Sequence, residues 1–386
     1  MITDIIKTQF LKSLEKTQYG KLTITMADGT SHEFIGPEPG PISHVTIMDE
    51  NCIPAFISKG DIGLAETYRD GLWDTDDLEA TLLFGVKNEE ALQGYIMGNN
   101  VQQFLARFLY TFSRNSLRGS KKNIHAHYDI GNDFYKLWLD EGLSYSSALY
   151  KGEGEKLEDA QDNKYDRILE RLDNPSGNLL EIGCGWGGFA ERAVEKGDYG
   201  IKGITLSNEQ HNYAAHRLGD NADIVLEDYR KQSGKFDHIV SIEMFEAVGE
   251  KYWPTYFKKL ASLLEANGKA VVQSITIAER FFDEYRKSGD MIRSFIFPGG
   301  MLPSKELFKH HAEKAGLKLN DVHFFGQDYA KTLQTWLKNF DAAEDKILKL
   351  GLDDKFIRIW RLYLAYCYAG FAAERTDVGQ FELELA

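Results

Sequence analysis

The sequence predicts an α/β protein: a parallel sheet covered by helices on both faces, with a smaller α+β unit ahead of it. Three observations carry that reading. From Asn178 onward, short apolar segments alternate with amphipathic helical stretches, the pattern of a parallel sheet with helical crossovers. A glycine-rich run, Gly183-Cys184-Gly185-Trp186-Gly187-Gly188, sits where the first of those strands meets a helix. Before residue 114 the pattern differs: short β-like segments broken by turn signals, then helical periodicity.

Taken in order, residues 1–14 place Ile5, Ile6, Phe10, Leu11 and Leu14 at helical spacing. The segments KLTITMADGT, SHEFIGPEPGP and SHVTIMD follow, and Asp28-Gly29 is a hairpin signal because both residues tolerate positive φ. Residues 78–113 return to helical periodicity. Residues 1–113 therefore form the expected N-terminal α+β domain, which carries no catalytic motif. The Ser/Arg/Gly/Lys stretch 113–122 is the expected linker, and residues 114–386 the second domain. There, Leu157, Tyr165, Ile168, Leu169 and Leu172 share one helix face, and Asn174-Pro175-Ser176-Gly177 stops that helix. Next come strand NLLEIG, helix 188–196, strand IKGITL, helix 208–217, strands DIVLED and FDHIVSI, helix 252–266 and strand KAVVQSITI. Two long helices, 329–350 and 353–373, are expected near the end.

Composition narrows the function classes. With 386 residues, 43% hydrophobic and 27% charged, the chain is a folded protein rather than a disordered one. A net charge of −14 argues against a nucleic-acid partner, whose phosphates demand a basic surface. No apolar run reaches the roughly 18 residues a membrane helix needs. The N-terminus lacks a signal-peptide cleavage site, and Cys52, Cys184 and Cys367 are scattered, so a cytoplasmic location is expected. Arg114, Arg118, Lys121 and Lys122 form a local basic stretch, either a solvated linker or a contact with anionic lipid.

The glycine run satisfies G-x-G-x-x-G, which alone says only that a ligand approaches the backbone closely. A dinucleotide would want an acid at the tip of the second strand, which instead ends Ile204-Thr205-Leu206-Ser207. This disfavours a nicotinamide reductase. Glu181 precedes the glycines by two residues, and the third strand ends in Glu227-Asp228-Tyr229. That arrangement suits a cationic amino acid joined to adenosine, namely S-adenosylmethionine. His125 and His127 lack the further ligands of a metal site, so no metal is expected. Ser147 lacks the His-Asp partners of a hydrolase.

Over most of residues 123–373 the chain resembles the cyclopropane fatty acid synthases and their mycolic-acid-modifying relatives. The motifs are HYDIGNDFY (127–135), YSSALY (145–150), LEIGCGWGG (180–188), GITLSNEQ (203–210), EDYR (227–230), FDHIVSIEMFEAVG (236–249), FIFPGGMLPS (295–304) and FGQDYAKTLQTW (325–336). The resemblance implies a seven-stranded, Rossmann-like class I methyltransferase domain acting on unsaturated acyl chains of phospholipids at the membrane surface. It implies S-adenosylmethionine contacts at Tyr145, Ser146, Gly183, Gly185, Thr205, Leu206, Gln210, Asp228, Tyr229 and Ile242. Glu246 matches the family's active-site glutamate, while Tyr329 and the backbone at Ile275 match positions that help hold a bicarbonate ion.

The chain departs from the family at the ion. Members usually have cysteine where Ser147 stands, histidine where Gln273 stands, and commonly histidine where Ala247 stands. Glu243 adds a carboxylate where many have glycine, and is expected to be solvated. Serine and glutamine still donate hydrogen bonds to an anion but bring no positive charge, so an altered or missing bicarbonate site is expected.

The expected reaction is methyl transfer to an acyl double bond followed by closure to a cyclopropane. A methyl-branched alkene without closure is the alternative, and a non-catalytic lipid-binding relative is the rival of another class. Aromatic faces and a carboxylate would stabilise the intermediate cation; Tyr128, Phe134, Tyr135, Tyr145, Phe245 and Tyr329 lie nearest the motifs. HYDIGNDFY and YSSALY are candidate lid segments. The N-terminal domain is expected to present lipid or make a homo-oligomer contact, with peripheral attachment to the inner face of the membrane.

Overall fold

The structure, a computed structural model, describes residues 2–96 and 131–386. The linker 113–122 with its basic residues, the end of the helical stretch 78–113, and His125, His127 and Tyr128 lie outside the described residues. Two compact units are present. The first joins the N-terminal residues to Gly289–Pro298 and Phe340–Ala373; the second holds Gly131–Ser288, Gly299–Asn339 and Glu374–Ala386. The expected 114–386 domain thus contributes its longest C-terminal helix to the first unit.

The first unit is built on a four-stranded sheet of order β2-β1-β3-β4, with β1 Tyr19–Thr25, β2 Ser31–Ile35, β3 Glu38–Ile47 and β4 Trp73–Thr75. Strands β1 and β2 form the hairpin marked by Asp28-Gly29: Thr25 faces Ser31, and Gly29 has φ 84°. Asp28 closes the turn by accepting from the Thr30 amide at 2.9 Å. Buried Asn88 ties this sheet to the helix Leu78–Lys87, accepting from the Gln18 and Tyr19 amides and donating to the Tyr19 and Phe84 carbonyls. All its amide groups are satisfied, as burial demands. The helix Asp354–Ala372 belongs here because of its apolar residues, among them Ile357, Trp360, Leu364 and Phe371, and because of Arg358. The Arg358 guanidinium lies 3.9 Å from the Tyr68 ring centre and donates to the Tyr68 and Trp73 carbonyls at 2.5 and 3.0 Å. Helices Cys52–Lys59 and Asp61–Arg69 and strand β4 are additions to the sequence reading.

The second unit is a seven-stranded sheet of order β10-β11-β9-β8-β5-β6-β7. The strands are β5 Ser176–Ile182, β6 Asp198–Thr205, β7 Ala222–Leu226, β8 Phe236–Ile242, β9 Leu264–Ile277, β10 Leu317–Phe324 and β11 Thr376–Leu385. Strands β5 to β9 pair in parallel, while β11 runs antiparallel to both β9 and β10. Helices follow β5, β6, β8 and β9 and pack on the sheet, as the apolar runs predict, whereas β7 reaches β8 through the short turn Tyr229–Lys231 alone. Phe257, Leu260 and Phe308, on helices Trp253–Leu263 and Lys305–Lys314, fill one core cluster with Phe245 and Phe381. Ile168, Phe189 and Ala193, on helices Leu157–Arg171 and Gly188–Lys196, fill another with Leu179 and Val240. The expected helix 329–350 is two helices, Gly326–Ala342 and Glu344–Lys349.

Candidate active site

Strand β6 lies on one side of β5 and β8 on the other. The order therefore reverses at β5, the switch point beyond whose carboxyl end such sheets bind ligands. The glycine run turns the chain there. Gly183, Gly185 and Gly187 have φ of 83°, 52° and 85°, a region open to glycine at little cost. The amides of Gly183 and Cys184 both donate to the Ile204 carbonyl, locking the turn to β6. A Cβ at Gly183 would meet Met244 at 2.8 Å, whereas one at Gly185 would meet nothing within 4 Å among the described residues. Space is thus left open above Gly185.

The other predicted S-adenosylmethionine contacts sit at or just after the ends of these strands, or in the loop before Leu157. Thr205, at the end of β6, donates to Gln210 at 2.8 Å, and Ser207 caps the helix Asn208–Leu218. Leu206 is 74% exposed beside them. After β7, Asp228 grips Arg230, which holds its carboxyl below the usual range, and Tyr229 meets the Tyr256 ring edge-on at 5.6 Å. Ile242 ends β8, paired in register with Gln273 on β9. Glu181, inside β5, is 3% exposed. Its Oε2 makes no hydrogen bond among the described residues, and burial raises its carboxyl well above the ordinary value, with Lys164 and Arg217 pulling it back.

Tyr145 and Ser146 sit in the loop following the short helix Asn132–Tyr135. The Tyr145 ring lies 5.5 Å from Tyr135, 5.6 Å from Trp138 and 5.6 Å from Trp336; Tyr135 is also 5.0 Å from Trp186, and Tyr329 is 6.0 Å from Trp336. Ser146 is anchored from below: buried Lys164 donates to its Oγ and to Gln161 Oε1, each at 2.6 Å, while Gln161 donates to the Ser146 carbonyl. Burial lowers the Lys164 ammonium to about 8, against the pull of Glu243, Asp140 and Glu181.

Two carboxylates follow β8. Glu246 Oε1 accepts from the Ile275 amide at 2.5 Å and from Ser274 Oγ at 3.1 Å, while its Oε2 is buried without a hydrogen bond among the described residues. Burial, and then the charge of Glu243, pushes its carboxyl up to about 8. Glu243 differs from expectation. Far from being solvated, its Oε1 accepts from the Ser147 amide at 2.9 Å and Gln273 Nε2 at 2.8 Å, and its Oε2 from the Tyr329 hydroxyl at 2.7 Å. It holds this pose with φ 49°, a region that costs a non-glycine residue roughly 1–2 kcal/mol. The structure thus gathers Ser147, Gln273 and Tyr329 on Glu243, and sets Ile275 on Glu246 instead. Sequence reasoning missed Glu243's part here, and with it Lys164 and Gln161. The available signal was coincidence: an added carboxylate at a glycine position alongside replacements at Ser147 and Gln273.

A family model described as mycolic acid cyclopropane synthetase matches residues 115–381. The tuberculostearic acid methyltransferase of Mycobacterium tuberculosis is 33% identical over 349 residues, 84% of this chain and 79% of that one. The cyclopropane-fatty-acyl-phospholipid synthase of Escherichia coli K12 is 33% identical over 338 residues, 87% of this chain and 86% of its own. Among solved structures, mycolic acid cyclopropane synthase CmaA1 complexed with SAH and CTAB superimposes with a TM-score of 0.63 at 31% identity, covering 68% of this chain and 97% of that one. The chain therefore belongs to the mycolic acid cyclopropane synthetase family of S-adenosylmethionine-dependent methyltransferases.

Proposed function

We propose that the protein methylates the double bond of an unsaturated phospholipid acyl chain and closes the product to a cyclopropane. The observation that supports this best is the pairing of two positioned carboxyl groups, Glu243 and Glu246, with the aromatic cluster around Tyr145 beside the glycine turn. The open space above Gly185 and the orphan oxygen of Glu181 fit a bound S-adenosylmethionine, with Tyr145, Ser146, Gly183, Gly185, Thr205, Leu206, Gln210, Asp228, Tyr229 and Ile242 around it. When bound, that group supplies a methyl made electrophilic by its sulfonium charge.

The residues then have three tasks. Tyr135, Tyr145, Trp138, Trp336 and Tyr329 present ring faces and edges that exclude water and stabilise a cation on the acyl chain. A carboxylate among them adds negative charge where positive charge develops. Finally a base takes one proton. Removal from the transferred methyl closes the ring, whereas removal from a neighbouring chain carbon leaves a methyl-branched alkene. The second outcome remains a specific alternative because one relative, at 33% identity, is named a methyltransferase rather than a cyclopropane synthase.

No helix among the described residues is long and apolar enough to cross a membrane. Access to lipid is proposed to be peripheral, from the cytoplasmic side, with residues 1–113 presenting lipid or joining two copies. The test is an assay with purified protein, methyl-labelled S-adenosylmethionine and vesicles of dioleoyl phosphatidylglycerol. A labelled acyl product that resists ozonolysis is expected. A labelled product that ozone cleaves selects the branched alkene, and absence of label in the acyl chain refutes both.

A further inference from the structure

Glu243 stands where the backbone favours glycine, and its strained pose has one result: the carboxylate is aimed and held. Its three donors come from separate parts of the chain, the loop after Tyr145, strand β9 and the helix Gly326–Ala342. Gln273 is itself oriented: its Oε1 accepts from Gln380 Nε2 at 3.0 Å, and Gln380 Oε1 accepts from Arg167 at 2.8 Å. This chain of bonds turns the Gln273 amide nitrogen toward Glu243. Ser147, Gln273 and Gln380 are almost fully buried, so the arrangement is built into the core rather than laid on a surface.

A bicarbonate ion does not fit this arrangement. The groups that the resemblance assigns to the ion are already spent on protein carboxylates: Ser147, Gln273 and Tyr329 on Glu243, and the Ile275 amide on Glu246. No imidazolium stands at residues 273 or 247 to offset a further anion beside two carboxyl groups.

We propose that Glu243 is the general base of the reaction, a proton acceptor carried by the chain itself, and that turnover needs no bicarbonate. This rests on the proposed methylation of an acyl double bond. The alkene π pair forms the bond to the transferred methyl, the S–CH3 pair stays on sulfur, and the second alkene carbon becomes cationic. Glu243 takes a proton from the new methyl, and the released C–H pair bonds to the cation, closing the ring. The carboxylic acid then returns its proton to solvent. If the proton comes from a neighbouring chain carbon, the same pair makes a double bond. Glu246 suits the complementary part: burial raises it to about 8, so it keeps its proton near neutrality, whereas Glu243, also raised by burial, has three donors and the Lys164 charge working against that rise.

The test uses the full chain, S-adenosylmethionine and dioleoyl phosphatidylglycerol vesicles, in buffer stripped of carbon dioxide and in the same buffer with added bicarbonate. Wild type is expected to turn over equally in both. Glu243→Gln keeps the size but cannot accept a proton, and should lose about 100-fold or more in turnover while still binding S-adenosylhomocysteine. Glu243→Gly, relaxed at this left-handed position, should gain about tenfold or more when bicarbonate is added, a rescue that a purely structural role would not produce. Wild type that stops without bicarbonate, a Gln variant as fast as wild type, or a Gly variant indifferent to bicarbonate would overturn the proposal. Wild type that methylates no acyl chain in either buffer would bring down the proposed function, and the base with it.

Discussion

At the scale of single residues, the site separates two carboxyl groups that lie three positions apart in sequence. Glu246 is the one whose proton is most firmly held, because burial and a neighbouring carboxylate both oppose its charge. In the unfolded chain a glutamate loses its proton near 4.5, whereas here it does so near 8. The folded state therefore binds the extra proton between those values, and stability is full below the lower one and declines as pH rises through the upper one. Glu246→Gln, which mimics the protonated form, should remove this decline. Denaturant unfolding at pH 5 and pH 9 should show wild type losing more stability than the variant, by on the order of 2 kcal/mol after allowance for partial exposure. Equal losses in the two proteins would mean that Glu246 titrates normally.

At the scale of elements, the glycine turn separates folding from binding. Gly183 is confined by Met244, but Gly185 faces open space among the described residues. Gly185→Ala should cost only the left-handed strain, about 1 kcal/mol, while its methyl group enters the space left for the ligand. Calorimetry with S-adenosylhomocysteine should show a loss of tenfold or more, with thermal unfolding nearly unchanged. Much of this level could be read from the sequence. The strands 178–183 and 236–242 are short apolar runs, and the helices 188–196 and 208–217 start at the glycine run and at the Ser207 cap, so they fall within a residue or two of expectation. Strand β11 was not anticipated, although Phe381, Leu383 and Leu385 alternate with Glu382 and Glu384, because its partner β9 is about a hundred residues away in sequence. Glu243 looks solvated in the sequence because sequence position cannot reveal that Ser147, Gln273 and Tyr329 converge on it.

At the scale of the whole molecule, the chain crosses between its two units more than once, which no linker signal announces. The helix Asp354–Ala372 buries Ile357, Trp360, Leu364 and Phe371 in the first unit. Deleting residues 1–96 should therefore strand an apolar helix in water and yield aggregated protein on size exclusion. A monodisperse, S-adenosylhomocysteine-binding fragment would show instead that the second unit and this helix are self-sufficient. The family assignment places the chain among S-adenosylmethionine-dependent methyltransferases, and the charge balance of −14 directs attention away from nucleic acid and toward another acceptor. The most direct test of that acceptor is acyl-chain mass spectrometry on a bacterium that makes monounsaturated phospholipids and has no such enzyme, with and without this protein. The expected result is a new acyl species about 14 Da heavier, one CH2, that survives ozonolysis. Unchanged acyl masses, in cells whose extracted protein binds S-adenosylhomocysteine, would contradict an acyl double bond as the substrate.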